Sequence, residues 1–341
     1  MDTSPADFRR KVGLAPVKPA ANLDGPTLQA LKVKVVPDIT EILRRKAAAE
    51  LGEQPKSDSA FRVRLWGTRG SIPVAGKEFR RFGGNTACVE MRCGDHTMIF
   101  DAGSGIRPAG LSVVQSGATD VHLFFTHFHY DHVLGLPFFS PLWVPSINVQ
   151  VWSGHLNGIM STHEMLHELM RAPWFPVSIG ICQATLETRD FKSGDVLKPW
   201  PDVTVRTGSL NHPGGCIGYR VEYGGRVVAL ISDTEHVEGE LDQNILALID
   251  KADLVIYDAT YTDQEMVKKR GFGHSTWQEG IKLCKAAGAK KLALFHHDPF
   301  RTDAALEKIE AEAKAVFPGT FAARDGQQIS FKVKQKVAKR A

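Results

Sequence analysis

The stretch THFHYDH, residues 126–132, sets His127, His129, Asp131 and His132 within six positions. It follows a largely apolar run, VHLFF (121–125), which reads as a buried strand. If the chain stays extended past that strand, His127 and His129 project to one side, because side chains repeat every two residues. Asp131 and His132 come after the chain turns, so they face a second point nearby. That geometry suits two adjacent metal ions better than one. Nitrogen ligands with a carboxylate favour zinc and also accommodate manganese or iron. Each ion needs further ligands, and candidates recur at strand ends. They are His212 in SLNHPGG (209–215), Asp233 in LISDTE (230–235), and the pair His296 and His297 in LALFHHDP (292–299).

The surrounding chain supplies a scaffold for such a site. From Phe61 onward it is strand-rich, with FRVRLW, TACVEMRC and HTMIFDAG preceding the histidine cluster and helical stretches expected near 104–116 and 160–171. The second half repeats this order, with strands VTVRTG, CIGYRVEY, RVVALIS, LVIYDAT and KLALF and helices near 240–250, 276–288 and 303–315. Two β-then-α halves predict an α/β protein with two sheets packed face to face and helices outside, a four-layer αββα sandwich. The expected division is an extension over 1–60, a catalytic body over 61–335 and a basic tail over 336–341. In the extension, the first 22 residues read as loose chain and PDITEILRRKAAAELG as a helix. Asp38 would cap it, Glu41 would close a capping box, and Ile39, Ile42 and Leu43 would share a face. EQPKSDSA (53–60) reads as a linker. The helix is either a homodimer contact, a brace over the site, or a docked solvated appendage.

Composition narrows the class. The 341 residues are 43% hydrophobic and 23% charged, as in ordinary globular proteins, and the formal charge of +4 is too small to argue for nucleic-acid binding. Five cysteines without a CxxC pair read as free thiols in a reducing compartment. Neither an N-terminal apolar segment nor a run of 18 apolar residues is present, so no membrane partner is expected and the cytoplasm is the expected location.

WGTRGSIP (66–73), FDAGSG (100–105), THFHYDH, NHPGG, ISDT and FHHDP occur in the order of the motifs of the metallo-β-lactamase fold superfamily, which the chain resembles from about Phe61 to its end. It is most similar to the phosphodiesterase branch, which includes the tRNA 3′-processing endonuclease tRNase Z and a cyclic phosphodiesterase of phosphonate metabolism. The resemblance implies that His127, His129 and His212 hold one ion, that Asp131, His132 and the last histidine hold the other, and that Asp233 bridges both. Alignment on LALF makes His296 that last ligand and leaves His297 beside it. YDAT (257–260) occupies the place of the tRNase Z HEAT box, with Asp258 in its acidic position, and the later HST (274–276) supplies His274, which the resemblance implies donates a proton to the leaving oxygen or binds the phosphate. Asp101, Asp258, His297 and Asn85 fall in supporting or substrate-contacting positions.

Departures from the branch bear on substrate. The Pro-Lys-Arg-Asn signature of tRNase Z is replaced by a longer VAGKEFRRFGGN (74–85), and no Gly- and Pro-rich tRNA-gripping arm is evident between 150 and 200. The aspartate at 233 disfavours lactam hydrolysis. The expected activity is therefore metal-dependent hydrolysis of a small or cyclic phosphodiester, similar to a cyclic nucleotide. Two ions would lower the pKa of a bridging water, with Asp131 and Asp233 orienting it. The alternatives are tRNA 3′-processing, thioester or lactone hydrolysis, and a metal-bound module without catalysis. Nucleic acid is the less favoured partner, with tRNA left open. Two further features compete for function. HEMLH (163–167) has the spacing of a zinc-protease helix, although Pro173 and Pro176 soon interrupt it. Arg69, Arg80 and Arg81 are either a phosphate clamp or solubilising charges.

Overall fold

A computed structural model describes residues 39–52 and 60–333 of the chain. The loose first segment, the Asp38 cap, most of the linker and the basic tail lie outside the described residues. The first sheet contains β1 (Phe61–Gly67), β2 (Cys88–Cys93), β3 (His96–Phe100), β4 (Asp120–Phe124), β5 (Asn148–Ser153) and β6 (Thr185–Asp190). They lie side by side in chain order, and β14 (Gln328–Phe331) pairs with the free edge of β1. The second sheet comprises β7 (Val196–Trp200), β8 (Val203–Leu210), β9 (Cys216–Tyr223), β10 (Arg226–Ile231), β11 (Leu254–Asp258), β12 (Leu292–Phe295) and β13 (Thr320–Ala322), again side by side in chain order.

Side-chain alternation explains the layers. In β3, Met98 and Phe100 enter the core between the sheets, whereas Ile99 faces outward. The inner core joins Val63, Leu65, Met91 and Phe124 of the first sheet to Val221, Leu230, Ile256 and Phe295 of the second. Outside the first sheet, Ile99, Val121 and Leu123 pack on Ile106, Ala109 and Val113 of helix α2 (Ile106–Ser116). Outside the second, Ile231, Val255 and Leu294 meet Ile245 and Leu248 of α4 (Gln243–Ile249), Ile281 and Cys284 of α5 (Trp277–Ala286), and Ile309 and Ala313 of α6 (Asp303–Val316). The expected αββα sandwich is therefore observed.

Helix α1 (Ile39–Leu51) stops before Gly52, which takes a left-handed φ of 67°. The face it docks differs from the expected one. Leu43, Ala47 and Leu51 form an i, i+4 ladder turned inward, while Ile42 is 45% exposed. Helical spacing accounts for this, since Ile42 lies about 100° around the axis from Leu43. Helix α3 (Thr162–Leu169) carries the HExxH residues. Its His163, Glu164 and His167 are exposed, and Glu164 accepts from the backbone N–H of Ser161 in a capping box, so the motif serves as a helix start.

What positions the site is parallel pairing. β3 pairs with β4, and β10, β11 and β12 pair in succession, all parallel. Their C-terminal ends therefore open on the same edge of the sandwich, where α/β folds bind ligands. Two bonds tie the sheets together there: Tyr219 donates its hydroxyl to the Phe125 carbonyl at 2.5 Å, and the Ile217 N–H donates to the Thr126 carbonyl at 3.0 Å.

Candidate metal centre

Most polar residues of the cluster leave the end of an apolar strand. Asp101 follows β3, His127 and His129 follow β4, Asp233 follows β10, Asp258 ends β11 and His296 follows β12. His212 comes from the β8–β9 hairpin. Strain marks these exits. Five non-glycine residues among those described have a positive φ, and four of them are Ser71 (65°), Asp101 (62°), Asp233 (29°) and His296 (58°). Such conformations cost about 1–3 kcal/mol each and persist where the surroundings enforce them, commonly at active sites.

Donor atoms converge in three groups, and the third (Asp233, Asp258, His274 and His296) shares two members with the second. In the first, His129 Nδ1 lies 3.0 Å from both His127 Nε2 and His212 Nε2. In the second, Asp131, His132, Asp233 and His296 bring one donor atom each to within 4.8 Å of one another. Asp233 joins the first two. Its Oδ2 is 3.7 Å from His127 Nε2 and 3.8 Å from His212 Nε2, while its Oδ1 is 3.4 Å from His132 Nε2 and 3.3 Å from His296 Nε2.

The neighbouring atoms fix which nitrogen faces the centre. His212 donates from Nδ1 to the Gly273 carbonyl at 2.7 Å, and His132 Nδ1 lies 2.9 Å from Asp101 Oδ2. Thr126 donates its hydroxyl to Asp101 at 2.8 Å, so it accepts from His127 Nδ1 at 3.0 Å. Thr260 repeats the arrangement between Asp258 (2.7 Å) and His296 Nδ1 (3.0 Å). All four histidines are thus left with Nε2 toward the centre, and such outer partners orient metal ligands. Contact is close enough that only glycine fits at 273 and 70: a Cβ there would come within 2.4 Å of the His212 ring and 2.2 Å of the His296 ring.

Electrostatics fit a cation at this place. Burial lowers the pKa of His127, His129 and His212, which keeps them neutral with lone pairs to offer. Three such nitrogens meeting at 3.0 Å have too few protons to satisfy one another. In the second group, burial alone would lower His132, but the Asp233, Asp131 and Asp101 carboxylates raise it well above the usual imidazole value. Burial opposes ionisation of Asp131 too, yet His132 and His296 hold it well below the carboxylate range. Buried carboxylates and imidazoles packed this tightly form a donor set suited to divalent metal.

An open cleft of about 350 Å³ lies over the centre, lined by Ser71, Phe128, His129, Tyr130, Asp131, Asp233 and His274. Within it the Ser71 N–H donates to Asp131 Oδ2 at 2.6 Å. His274 Nδ1 lies 3.0 Å from Asp258 Oδ2, which leaves Nε2 for the cleft. Burial alone would lower the His274 pKa, but the charge and hydrogen bond of Asp258 outweigh it and raise the value to about 9.

Not every candidate joins the site. His297 points away, 2.9 Å from the Ala323 carbonyl and edge-on to Phe82, and burial pushes its pKa down to about 3. Asn85 accepts from Ser104 at 3.0 Å and through its carbonyl from the N–H groups of Thr68 and Arg69, so it braces the glycine-rich loop. Arg69 is fully buried and donates to the carbonyls of Gly83 and Arg301 at 2.8 and 2.6 Å, which is structural support rather than a phosphate clamp. Arg81 pairs with Glu307 on the surface. Sequence reading missed Ser71, Thr126, Thr260 and Glu235. The Glu235 carboxylate accepts from the N–H groups of Gly271 (2.9 Å) and Gly273 (2.8 Å), fixing the loop that carries both the His212 partner and His274.

The two adjacent histidines offer a direct test. His296→Ala is expected to lower metal occupancy in the second group. His297→Ala should keep the metal and cost about 1–3 kcal/mol of stability, because the buried Ala323 carbonyl loses its partner. Elemental analysis and thermal melts of both variants distinguish the roles, and the reverse pattern would exchange them.

Comparison with known proteins identifies the family and the fold. Residues 96–297, which contain all three donor groups, match the family described as the Beta-lactamase superfamily domain. A Ribonuclease Z from Gemmatimonas aurantiaca is 25% identical over 330 residues, covering 81% of this chain and 98% of that protein. Among solved structures, the metallo-β-lactamase fold protein YhfI from Bacillus subtilis is similar with a TM-score of 0.62 at 21% identity, over 80% of this chain and all (100%) of that one. The short form of human tRNase Z is similar with a TM-score of 0.56 at 21% identity, over 80% of this chain and 100% of that one. Both structural likenesses concern the fold.

Proposed function

The chain belongs to the β-lactamase superfamily and is a metal-dependent hydrolase, and from that premise we propose that it hydrolyses a small phosphodiester with a pair of zinc ions. His127, His129 and His212 would hold one ion and Asp131, His132 and His296 the other, with Asp233 shared. Bound divalent cations supply Lewis acidity and a water of lowered pKa.

His274, lining the cleft with Nδ1 held on Asp258, is the observation that carries the reading. Alkoxide leaving groups of phosphodiesters are strongly basic and need a proton as the P–O bond breaks, whereas a thiolate departs unaided. A positioned donor therefore favours a phosphodiester over a thioester. Asp131 and Asp233, held ionised, orient the attacking water. His274 then gives the leaving oxygen its Nε2 proton and is left neutral on Asp258.

Small substrate size is supported by the segment between β5 and β6. Met165, Leu166, Met170 and Ile179 bury themselves in the outer core, so this segment packs down onto the sandwich. The second reading, tRNA 3′-processing, is favoured by the similarity to the Ribonuclease Z of Gemmatimonas aurantiaca. Assays of the metal-loaded protein on a 2′,3′-cyclic nucleotide, a glycerol cyclic phosphate, a precursor tRNA and a thioester separate these readings. The small diesters are expected to turn over, with slow or absent tRNA cleavage. Efficient, position-specific tRNA trimming at physiological salt would replace the first reading with the second.

A further inference from the structure

Tyr130 stands between His129 and Asp131, lines the cleft, and is 80% exposed. Its backbone is fixed, because it opens a helical turn over Tyr130–Val133 in which its carbonyl accepts from the Leu134 N–H at 2.8 Å. Asp131 and His132, the next two residues of that turn, are buried in the metal centre. Rotation of about 100° per residue then leaves Tyr130 on the outward face together with Leu134, four residues on and also exposed. No other described ring lies against Tyr130, whereas Phe128 in the same wall is packed edge-on against Phe125 and His155. Exposed apolar side chains also neighbour the cleft in sequence on two other loops: Ile72 (59%) follows Ser71, and Phe272 (56%) precedes Gly273 and His274.

A rigidly mounted aromatic face left in water beside a polar metal centre is poorly used unless a ligand covers it. We propose that Tyr130 is a stacking platform for a planar ring of the substrate, so that the preferred phosphodiester carries a nucleobase. The inference rests on the phosphodiesterase reading and extends it to substrate class. Phosphate goes to the metal centre, which recognises nothing beyond the diester. The base lies on Tyr130 and supplies selection between diesters of similar size. A phenol or indole serves this purpose for any base, since every base has a π-face.

The test compares a 2′,3′-cyclic nucleotide with ring-free glycerol 1,2-cyclic phosphate on metal-loaded wild type, Tyr130→Ala and Tyr130→Phe. Loss of one stacking partner typically weakens binding about 5- to 100-fold. Tyr130→Ala should raise KM for the cyclic nucleotide by that factor with little change in kcat, leave the glycerol diester and metal content unchanged, and be rescued by Tyr130→Phe. Equal effects on both diesters, or on neither, would overturn the platform while leaving the phosphodiesterase intact. If wild type hydrolyses neither diester, the phosphodiesterase reading fails. Calorimetric binding of AMP against inorganic phosphate then still decides the platform: Tyr130→Ala must weaken AMP alone, and an unchanged AMP affinity rejects it.

Discussion

Asp233→Ala is expected to empty both halves of the centre together and to lower kcat/KM by at least about 10³-fold, beyond the 10–100-fold usual for losing a partner outside the ligand set. The expectation follows from geometry. Oδ2 of Asp233 faces His127 and His212, while Oδ1 faces His132 and His296. One substitution therefore removes an oxygen from each donor group. It also deletes an anion next to His132, which is raised above the usual imidazole value by Asp233, Asp131 and Asp101 despite its burial. With one carboxylate gone, four imidazoles face one another across the gap with less negative charge to hold a cation. His129→Ala is the contrasting variant, because His129 contributes to the first group alone. Elemental analysis should give about two equivalents of metal for the wild type, about one for His129→Ala and close to none for Asp233→Ala, with circular dichroism confirming that each is folded. Retention of both ions by Asp233→Ala would remove this residue from its bridging place.

Asp233 and His296 are legible as candidates because each follows an apolar strand, where a polar side chain has one place to go, whereas their grouping with the other donors is read from the family resemblance. Parallel pairing of β10, β11 and β12 turns three separate motifs, 231–234, 257–260 and 295–299, into one edge. The choice between His296 and His297 needs strand register, and Phe295 opposite Asp258 sets it. Other parts leave no comparable signal. Thr126 and Thr260 are ordinary threonines whose role comes from sitting between a carboxylate and an imidazole. Ser71 acts through its backbone N–H, which no side-chain pattern reveals. Arg69 resembles a surface cation in sequence, but long-range folding places it among the carbonyls of residues 83 and 301. The edge strands β6 and β7 are too exposed for alternation to mark them clearly.

His274→Ala is expected to slow an alkyl or cyclic ribose diester by about 10²–10⁴-fold, the usual contribution of a positioned general acid, and to slow a p-nitrophenyl diester far less. The difference arises at the leaving oxygen. A ribose alkoxide is too basic to depart without a proton, whereas p-nitrophenolate is stable near neutrality. Metal content should be unchanged, because His274 Nδ1 is engaged with Asp258; since His274 also belongs to a donor group with Asp233, Asp258 and His296, lost metal would make it a ligand instead. The pH profile supplies a second readout. Burial works against the charged ring, but Asp258, Asp233 and Asp131 raise the pKa to about 9, and bound cations would bring it down toward neutrality. Activity on the alkyl diester should therefore fall as pH rises between about 7 and 9, since the donor form is lost. That descending limb should disappear in His274→Ala and be absent for the nitrophenyl ester in the wild type. Asp258→Asn should move the limb to lower pH, because the carboxylate that stabilises the imidazolium is gone. Equal slowing of both esters with an unchanged limb would assign His274 to holding the phosphate instead of protonating the leaving group.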